Sequence, residues 1–414
     1  MDFVQILWTT ALCICIVLTS SVLVWSLHRD YNRTHIPPDL KHRRKLWVYS
    51  WLLSSAFAVG HYLEKLGICS QIAVLRLVFN GVPSMNDPKL YIKNLYFEHV
   101  PVRVYWPKLS TPVGNLRGII YLHGGIGVVG SIKAYERVCR YLAKESESVV
   151  VCIGYRLSPE HPPPVQSQDS LTAALYFLKN ARFYAVNPNR IIVAGDSSGA
   201  TMAAALCQEL AVRRDVPRIQ AQILLYPFLQ AVDFTLPSYQ QNHSIPILFK
   251  KRAVKLAFQY FTQAFKLDLM GVLNSAHVSE DMKAKCKKWI SADLIPDEFK
   301  VRGYVPTKPA PYSEQLGELC KPALETWFSP LLAEDEVIRQ LPETFLLTCE
   351  YDILRDDGLL YKKRLEDNGV PVTWHHVKDG FHGIAYLVSL GPLQFPSTKI
   401  AMNSVIRFIC GLPK

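Results

Sequence analysis

An apolar run, Arg190-Ile191-Ile192-Val193-Ala194, leads straight into Gly195-Asp196-Ser197-Ser198-Gly199 and then into Ala200-Thr201-Met202-Ala203-Ala204-Ala205-Leu206. The first piece has the composition of a buried strand and the last that of a helix. Glycines at both ends of the pentapeptide are what a strand and a helix need when they join through a sharp turn and pass close together. Such a turn lifts the central serine oxygen off the end of a sheet. Ser197 is therefore the candidate nucleophile. The pentapeptide alone is a weak signal; its surroundings make it a constraint.

Those surroundings are a series of short β-type runs. Tyr91–Phe97 and Val102–Trp106 read as an opening hairpin, followed by Gly118–Leu122, Val149–Gly154, Arg190–Ala194 and Gln222–Tyr226, with a late pair at Thr344–Cys349 and Val372–Val377. Helical stretches at Lys133–Lys144, Ser167–Ala181 and Ala200–Arg213 separate the central runs. Near-continuous apolar strands alternating with helices predict an α/β fold whose mostly parallel central sheet is covered on both faces. The rhythm breaks between Gln230 and Gln340, where Pro237, Pro246, Pro296, Pro306, Pro309 and Pro311 accumulate. This stretch, about residues 231–340, reads as a helical insertion emerging at the strand ends. Its cluster Lys283, Lys285, Lys287 and Lys288 reads as a solvated helix face, with contact to lipid head groups as the alternative.

Acyl transfer needs a base, an orienting acid and oxyanion donors beside the nucleophile. In a fold of this kind the acid and then the base follow the serine, each after a late strand. Asp352 follows the run Thr344–Cys349, and His382 follows Val372–Val377 inside Asp379-Gly380-Phe381-His382-Gly383. The rivals are weaker. Asp356 and Asp357 open a helical run and suit the first turn of a helix. His375 and His376 lie within a strand and point to opposite faces. Oxyanion donors are expected from the Ser198 N–H and from Gly124 and Gly125 in the glycine-rich loop Tyr121-Leu122-His123-Gly124-Gly125-Ile126-Gly127. No cofactor and no metal is implied, because the 12 histidines show no ligand spacing.

The net charge of +11 raises nucleic acid as a partner, but zinc-finger spacing, RNP-type strands and basic heptads are all missing. A membrane fits better. Phe3–Leu27 contains no charged residue. As a helix it would reach about 37 Å, against a hydrocarbon core of about 30 Å. Trp8 and Trp25 lie near its ends, and Asp2 is the only charged side chain before it, unlike the basic start of a cleaved signal peptide. Residues 1–28 thus read as a transmembrane signal-anchor, 29–90 as a tether with helices, and 91–414 as the catalytic domain. Orientation has conflicting signals. Basic residues from Arg29 to Lys45 favour a cytosolic flank, while Asn32-Arg33-Thr34 and Asn242-His243-Ser244 are candidate glycosylation sites suited to a lumenal domain. The 10 cysteines form no CxxC and no dense framework.

Together these motifs resemble the hormone-sensitive lipase family of α/β-hydrolases, and within it the arylacetamide deacetylase-like proteins. The resemblance is carried by the His123-Gly124-Gly125 loop, Tyr155-Arg156-Leu157-Ser158-Pro159-Glu160-His161-Pro162, the Ser197 turn, Leu225-Tyr226-Pro227, Tyr351-Asp352-Ile353-Leu354-Arg355-Asp356 and Asp379-Gly380-Phe381-His382-Gly383. It implies an α/β-hydrolase fold with a cap formed by the helices before Phe79 and by the insertion. It also implies hydrolysis of lipophilic carboxylic esters or aryl amides, by a single-pass type II protein of the endoplasmic reticulum with a lumenal catalytic domain. The same family includes hormone receptors, so a non-catalytic lipid- or small-molecule-binding receptor is the alternative. Two positions depart from the family pattern: Ile126 stands where many relatives have a third glycine, and Ser198 where alanine is commoner. Some relatives also have a cysteine at the Val128 position that could pair with Cys349, a bridge this chain cannot form.

Overall fold

The computed structural model describes residues 3–80, 87–108, 115–262 and 267–413; Met1, Asp2 and residues 263–266 of the insertion lie outside this set. The chain divides into two compact units, Met1–Val82 with Ser244–Ile247, and Pro83–His243 with Leu248–Lys414.

The first unit is helical: α1 (Phe3–Arg33), α2 (Arg43–Lys65) and α3 (Gln71–Asn80). Within α1, Val4–His28 is long and apolar enough to cross a membrane, with a mean hydropathy of 2.2, and among its described side chains Ser26 alone is buried. Only the far end of α1 packs on α2: Ser26 Oγ lies 3.3 Å from Ser55 Oγ, and the Trp25 ring meets Tyr62 edge-on at 6.1 Å. Gln71 at the start of α3 donates to the Phe57 carbonyl at 2.8 Å, and a side chain on Gly60 would press into Gln71.

The second unit is built on one eight-stranded sheet: β1 (Leu90–Phe97), β2 (Val100–Pro107), β3 (Leu116–Leu122), β4 (Val149–Ile153), β5 (Val186–Asp196), β6 (Ala221–Leu225), β7 (Glu343–Tyr351) and β8 (Val372–Phe381). The order is β1-β2-β4-β3-β5-β6-β7-β8. β2 runs antiparallel to both β1 and β4, and every other pairing is parallel. All eight predicted runs are strands. The central ones are almost wholly apolar because both faces are covered: Val149–Ile153 and Ala221–Leu225 are buried along their whole length, the polar Gln222 included. The crossovers are α4 (Glu136–Glu145), α5 (Val165–Asn180) and α6 (Ser198–Ala211).

Between β6 and β7 the chain forms short helices: α7 (Pro237–Gln241), α8 (Lys250–Thr262), α9 (Leu269–Leu273), α10 (Glu280–Cys286), α11 (Glu314–Cys320) and α12 (Asp335–Ile338). α13 (Arg355–Asp367) and α14 (Pro396–Gly411) complete the sheet's cover. The lysine cluster around α10 is paired locally. Lys283 reaches Glu280 at 2.8 Å, Lys285 reaches Glu334 at 2.6 Å, and Lys288 lies 4.2 Å from the Trp289 ring centre.

Candidate active site

Three strands end at the same edge of the sheet, and each delivers one side chain. β5 runs to Asp196 and the chain turns at Ser197, whose φ of 53° and ψ of −126° are rarely adopted by a residue with a side chain. Two glycines make the turn physically accessible. A Cβ at Gly195 would collide with the Gly199 backbone, and one at Gly199 with the carbonyls of Leu122 and His123. The Ser197 N–H donates to the Leu225 carbonyl at 2.9 Å, and its own carbonyl accepts from Ala200 and Thr201 at the start of α6. Asp352 follows β7 directly. β8 extends to Phe381, further than the predicted end at Val377, so His382 sits at the strand's tip.

These three residues form a continuous hydrogen-bonded chain. His382 Nδ1 lies 2.8 Å from Asp352 Oδ2, and His382 Nε2 lies 2.9 Å from Ser197 Oγ. The Asp352 carboxylate can only accept, so Nδ1 carries the proton and Nε2 accepts from the serine hydroxyl. All three side chains are buried. The remaining Asp352 oxygen accepts from the Leu354 N–H at 2.9 Å, which fixes the carboxylate's orientation. The Tyr226 ring packs edge-on against His382 at 5.1 Å.

The rival acids and histidines lie elsewhere. Asp356 is bound to Arg355 and to the Ser238 N–H, and Asp357 accepts from the Leu229 N–H, Gln230 and Tyr239. Both do sit in the first turn of α13 as expected, yet they are fully buried and anchor the start of the insertion. His376 bonds Thr348 and Glu350. His123 is buried between the rings of Tyr135 and Tyr155, and burial pushes its imidazole down to about 4, so it is neutral. Its Nδ1 lies 2.9 Å from the Gly124 carbonyl, a contact that shapes the loop.

Two expectations need correction. The Gly124 N–H donates to Asp196 Oδ1 at 2.9 Å, so it is spent on a carboxylate and does not point at an oxyanion. Among the described residues, the Gly125 and Ser198 N–H groups have no hydrogen-bond partner, and Ser198 is the first residue of α6, where a helix leaves its amides unpaired. Asn242 is the second correction. It is completely buried, and its Nδ2 donates to the carbonyls of Glu350 at 3.0 Å and Asp352 at 2.8 Å. A glycan on that nitrogen would replace one of the two donated hydrogens and has no room at a fully buried side chain. Asn32 is exposed at the end of α1, its amide 3.0 Å from His28 Nε2.

The sequence reading does not single out Asp196, which stands at the centre of the site's hydrogen bonds. Besides Gly124, it accepts from the hydroxyls of Tyr121 and Tyr135, each at 3.0 Å. Burial raises its carboxyl to about 6 even against these three donors. The available signal was its place inside the serine pentapeptide. Asn242 was also missed as a support of the acid loop.

From Ser197 a pocket opens beneath the insertion, enclosing about 870 Å³ including its open mouth. Met202, Phe228, Phe234, Phe258 and Trp327 dominate its wall, and among the described residues no charged side chain lines it.

A known family, described as having the α/β-hydrolase fold, matches residues 119–291 and 312–386. Human arylacetamide deacetylase-like 4 is 42% identical over 408 residues, covering 98% of this chain and 99% of that protein. Bovine arylacetamide deacetylase is 35% identical over 366 residues, covering 87% of each chain. Among solved structures, a thermostable esterase from Pseudomonas putida ECU1011 superposes with a TM-score of 0.64 at 22% identity, covering 92% of this chain and 99% of that one. A sheet whose strand ends gather Ser197, Asp352 and His382, and full-length similarity at this level, lead to one assignment: the chain belongs to the arylacetamide deacetylase group of the α/β-hydrolase fold family.

Proposed function

We propose that this chain is a membrane-anchored serine hydrolase that cleaves lipophilic carboxylic esters or aryl amides through an acyl-enzyme. The observation that carries the reading is the unbroken chain Ser197 Oγ, His382 Nε2, His382 Nδ1, Asp352 Oδ2, with links of 2.9 and 2.8 Å. His382 takes the Ser197 proton as Oγ attacks the acyl carbon, then returns it to the leaving alcohol or amine. The Asp352 carboxylate holds the imidazole tautomer and stabilises the imidazolium. The Gly125 and Ser198 N–H groups receive the negative oxygen. Water, activated by the same histidine, then releases the acid and restores Ser197. The uncharged, aromatic-rich wall favours neutral apolar substrates, since a charged group would lose its hydration there without a partner.

The related deacetylases favour the same chemistry, and α1 supplies a membrane anchor. The endoplasmic reticulum lumen is part of the proposal and rests on the family resemblance, because Asn242 no longer speaks for it. A fluorophosphonate probe tests the enzyme reading. We expect labelling of the folded protein and none of Ser197→Ala. Folded protein that resists the probe would support a receptor instead.

A further inference from the structure

We propose that Ile126 restricts the acyl group admitted beside Ser197, and that the Ser198 hydroxyl is the positioning residue that makes an isoleucine tolerable there. The inference deepens the reading of Ser197 as nucleophile and rests on it. Three consecutive residues of the oxyanion loop have left-handed backbone: Gly125 with φ 117°, Ile126 with φ 60° and Gly127 with φ 73°. Glycine accepts this freely, and a β-branched residue almost never does. Something must therefore hold Ile126.

The rest of the loop is secured through its neighbours. The Gly125 carbonyl accepts from the Val128 and Val129 N–H groups, both at 3.0 Å, and the Gly127 carbonyl accepts from the Ser158 N–H at 2.9 Å. The Ile126 N–H has a different partner, Ser198 Oγ at 2.8 Å. This bond ties the loop to the residue following the nucleophile, and so joins the two halves of the oxyanion site. Ile126, Ser197 and Ser198 all line the same pocket, so the side chain added at 126 occupies substrate space. The two departures from the family pattern are thus one device, a hydroxyl that compensates for a side chain.

Losing the hydroxyl frees Ile126 to relax towards ordinary backbone angles, which turns the Gly125 N–H away from the oxyanion. Turnover suffers, while binding to the apolar wall does not. With glycine at 126 the left-handed backbone costs nothing, and the hydroxyl is no longer needed. The test is a double-mutant cycle on the full chain, with kcat and KM measured for p-nitrophenyl acetate, butyrate and the branched pivalate. Ser198→Ala should lower kcat by about 10- to 100-fold, less than deleting a donor because the donor is displaced and not lost. KM should stay within about twofold, and Ser198→Thr, which keeps the hydroxyl, should restore turnover. Ile126→Gly should raise kcat/KM for pivalate relative to acetate. In that background Ser198→Ala should cost less than about threefold.

Equal penalties for Ser198→Ala in both backgrounds, or an acyl preference unmoved by Ile126→Gly, would overturn the proposal. If turnover survives Ser197→Ala, the nucleophile assignment fails instead. The latch is then judged by amide hydrogen exchange in the folded protein. Faster exchange at Ile126 in Ser198→Ala sustains it, and unchanged exchange removes it.

Discussion

A serine hydroxyl is a weak nucleophile until a base takes its proton, so the geometry around Ser197 carries specific expectations. Ser197→Ala should lower ester turnover by about 10⁶-fold, measured against the wild-type chain at saturating substrate. Asp352→Asn should cost about 10⁴-fold with the fold intact, because an amide that donates to Nδ1 selects the wrong tautomer. Asp356→Asn should instead lower thermal stability, since its partners are Arg355 and Ser238 and not His382. A larger loss of turnover from Asp356→Asn would move the acid's role away from Asp352. Asp196 adds a pH dependence. Its folded-state carboxyl is raised from 3.8 to about 6 by burial, so the folded chain takes up this proton more readily than the unfolded one. Its contribution to stability is complete in acid and is lost as pH rises through about 6. Activity has the opposite sign: the ionised carboxylate is the form that accepts from Gly124, Tyr121 and Tyr135 together. The acid limb of kcat should therefore contain a proton near pH 6 that belongs to Asp196, and Asp196→Asn should remove it. An unaltered limb in that variant would separate Asp196 from the working site. Ser197, Asp352 and His382 are legible in the sequence, and the part of Asp196 is not. The serine pentapeptide marks Asp196, but its three donors lie 61 to 75 residues away, and only the folded sheet brings them together.

At the scale of elements, the strands were the easiest part to read. Val149–Ile153 is apolar at every position and Ala221–Leu225 at every position but Gln222, because helices cover both faces; Gln222 is buried too and donates to Thr344 Oγ1 at 2.9 Å. The Gly124 assignment failed for a different reason. Which amide of a glycine-rich loop stays free depends on the loop's path past Asp196, and composition does not encode that. The insertion was legible as a break in rhythm, and its attachment points were not. It is fastened to the end of the sheet by buried polar groups. Asp357 accepts from Leu229, Gln230 and Tyr239, while Asn242 holds the carbonyls on either side of Tyr351. Arg302 adds bonds to Asn242 Oδ1 at 3.1 Å and Glu350 Oε1 at 2.7 Å. Asn242 is thus a clamp between the insertion and the acid loop, although its sequon invites a different reading. Asn242→Ala removes one donor each from the Glu350 and Asp352 carbonyls, which keep Arg302 and the Arg355 N–H, and the loss of two hydrogen bonds at about 0.5–1.5 kcal/mol each should be read by thermal or denaturant unfolding. Turnover should fall as well, through a less well-held Asp352. In protein from glycosylating cells, the mass of the peptide containing Asn242 should show no glycan. A sugar there would contradict the buried amide.

The whole molecule combines a sheet-based unit that holds every residue assigned to the site with a helical unit that begins in an apolar span. That span allows two readings, a retained anchor or a leader removed after export, and they differ in physical cost. Most of the apolar surface of Val4–His28 is exposed, and Trp8 is 72% exposed. In water such a helix is an aggregation hazard, whereas in a bilayer of about 30 Å it satisfies every backbone group internally. At 31 residues α1 is about 46 Å long, enough to cross with its polar end, Asn32 and Arg33, outside the hydrocarbon. We therefore expect the protein to resist alkaline carbonate extraction with its amino-terminal peptide still attached by mass spectrometry. Placing arginine at both Leu12 and Ile16, each costing about 2.5–3.5 kcal/mol at the centre of a span, should move it to the soluble fraction. Hydrolysis of a short water-soluble ester should survive that release, because Ser197, Asp352 and His382 all belong to the second unit. A mature chain that lacks the first 28 residues and is already soluble would identify the span as a leader, leaving the chemistry of the second unit untouched while removing the anchor.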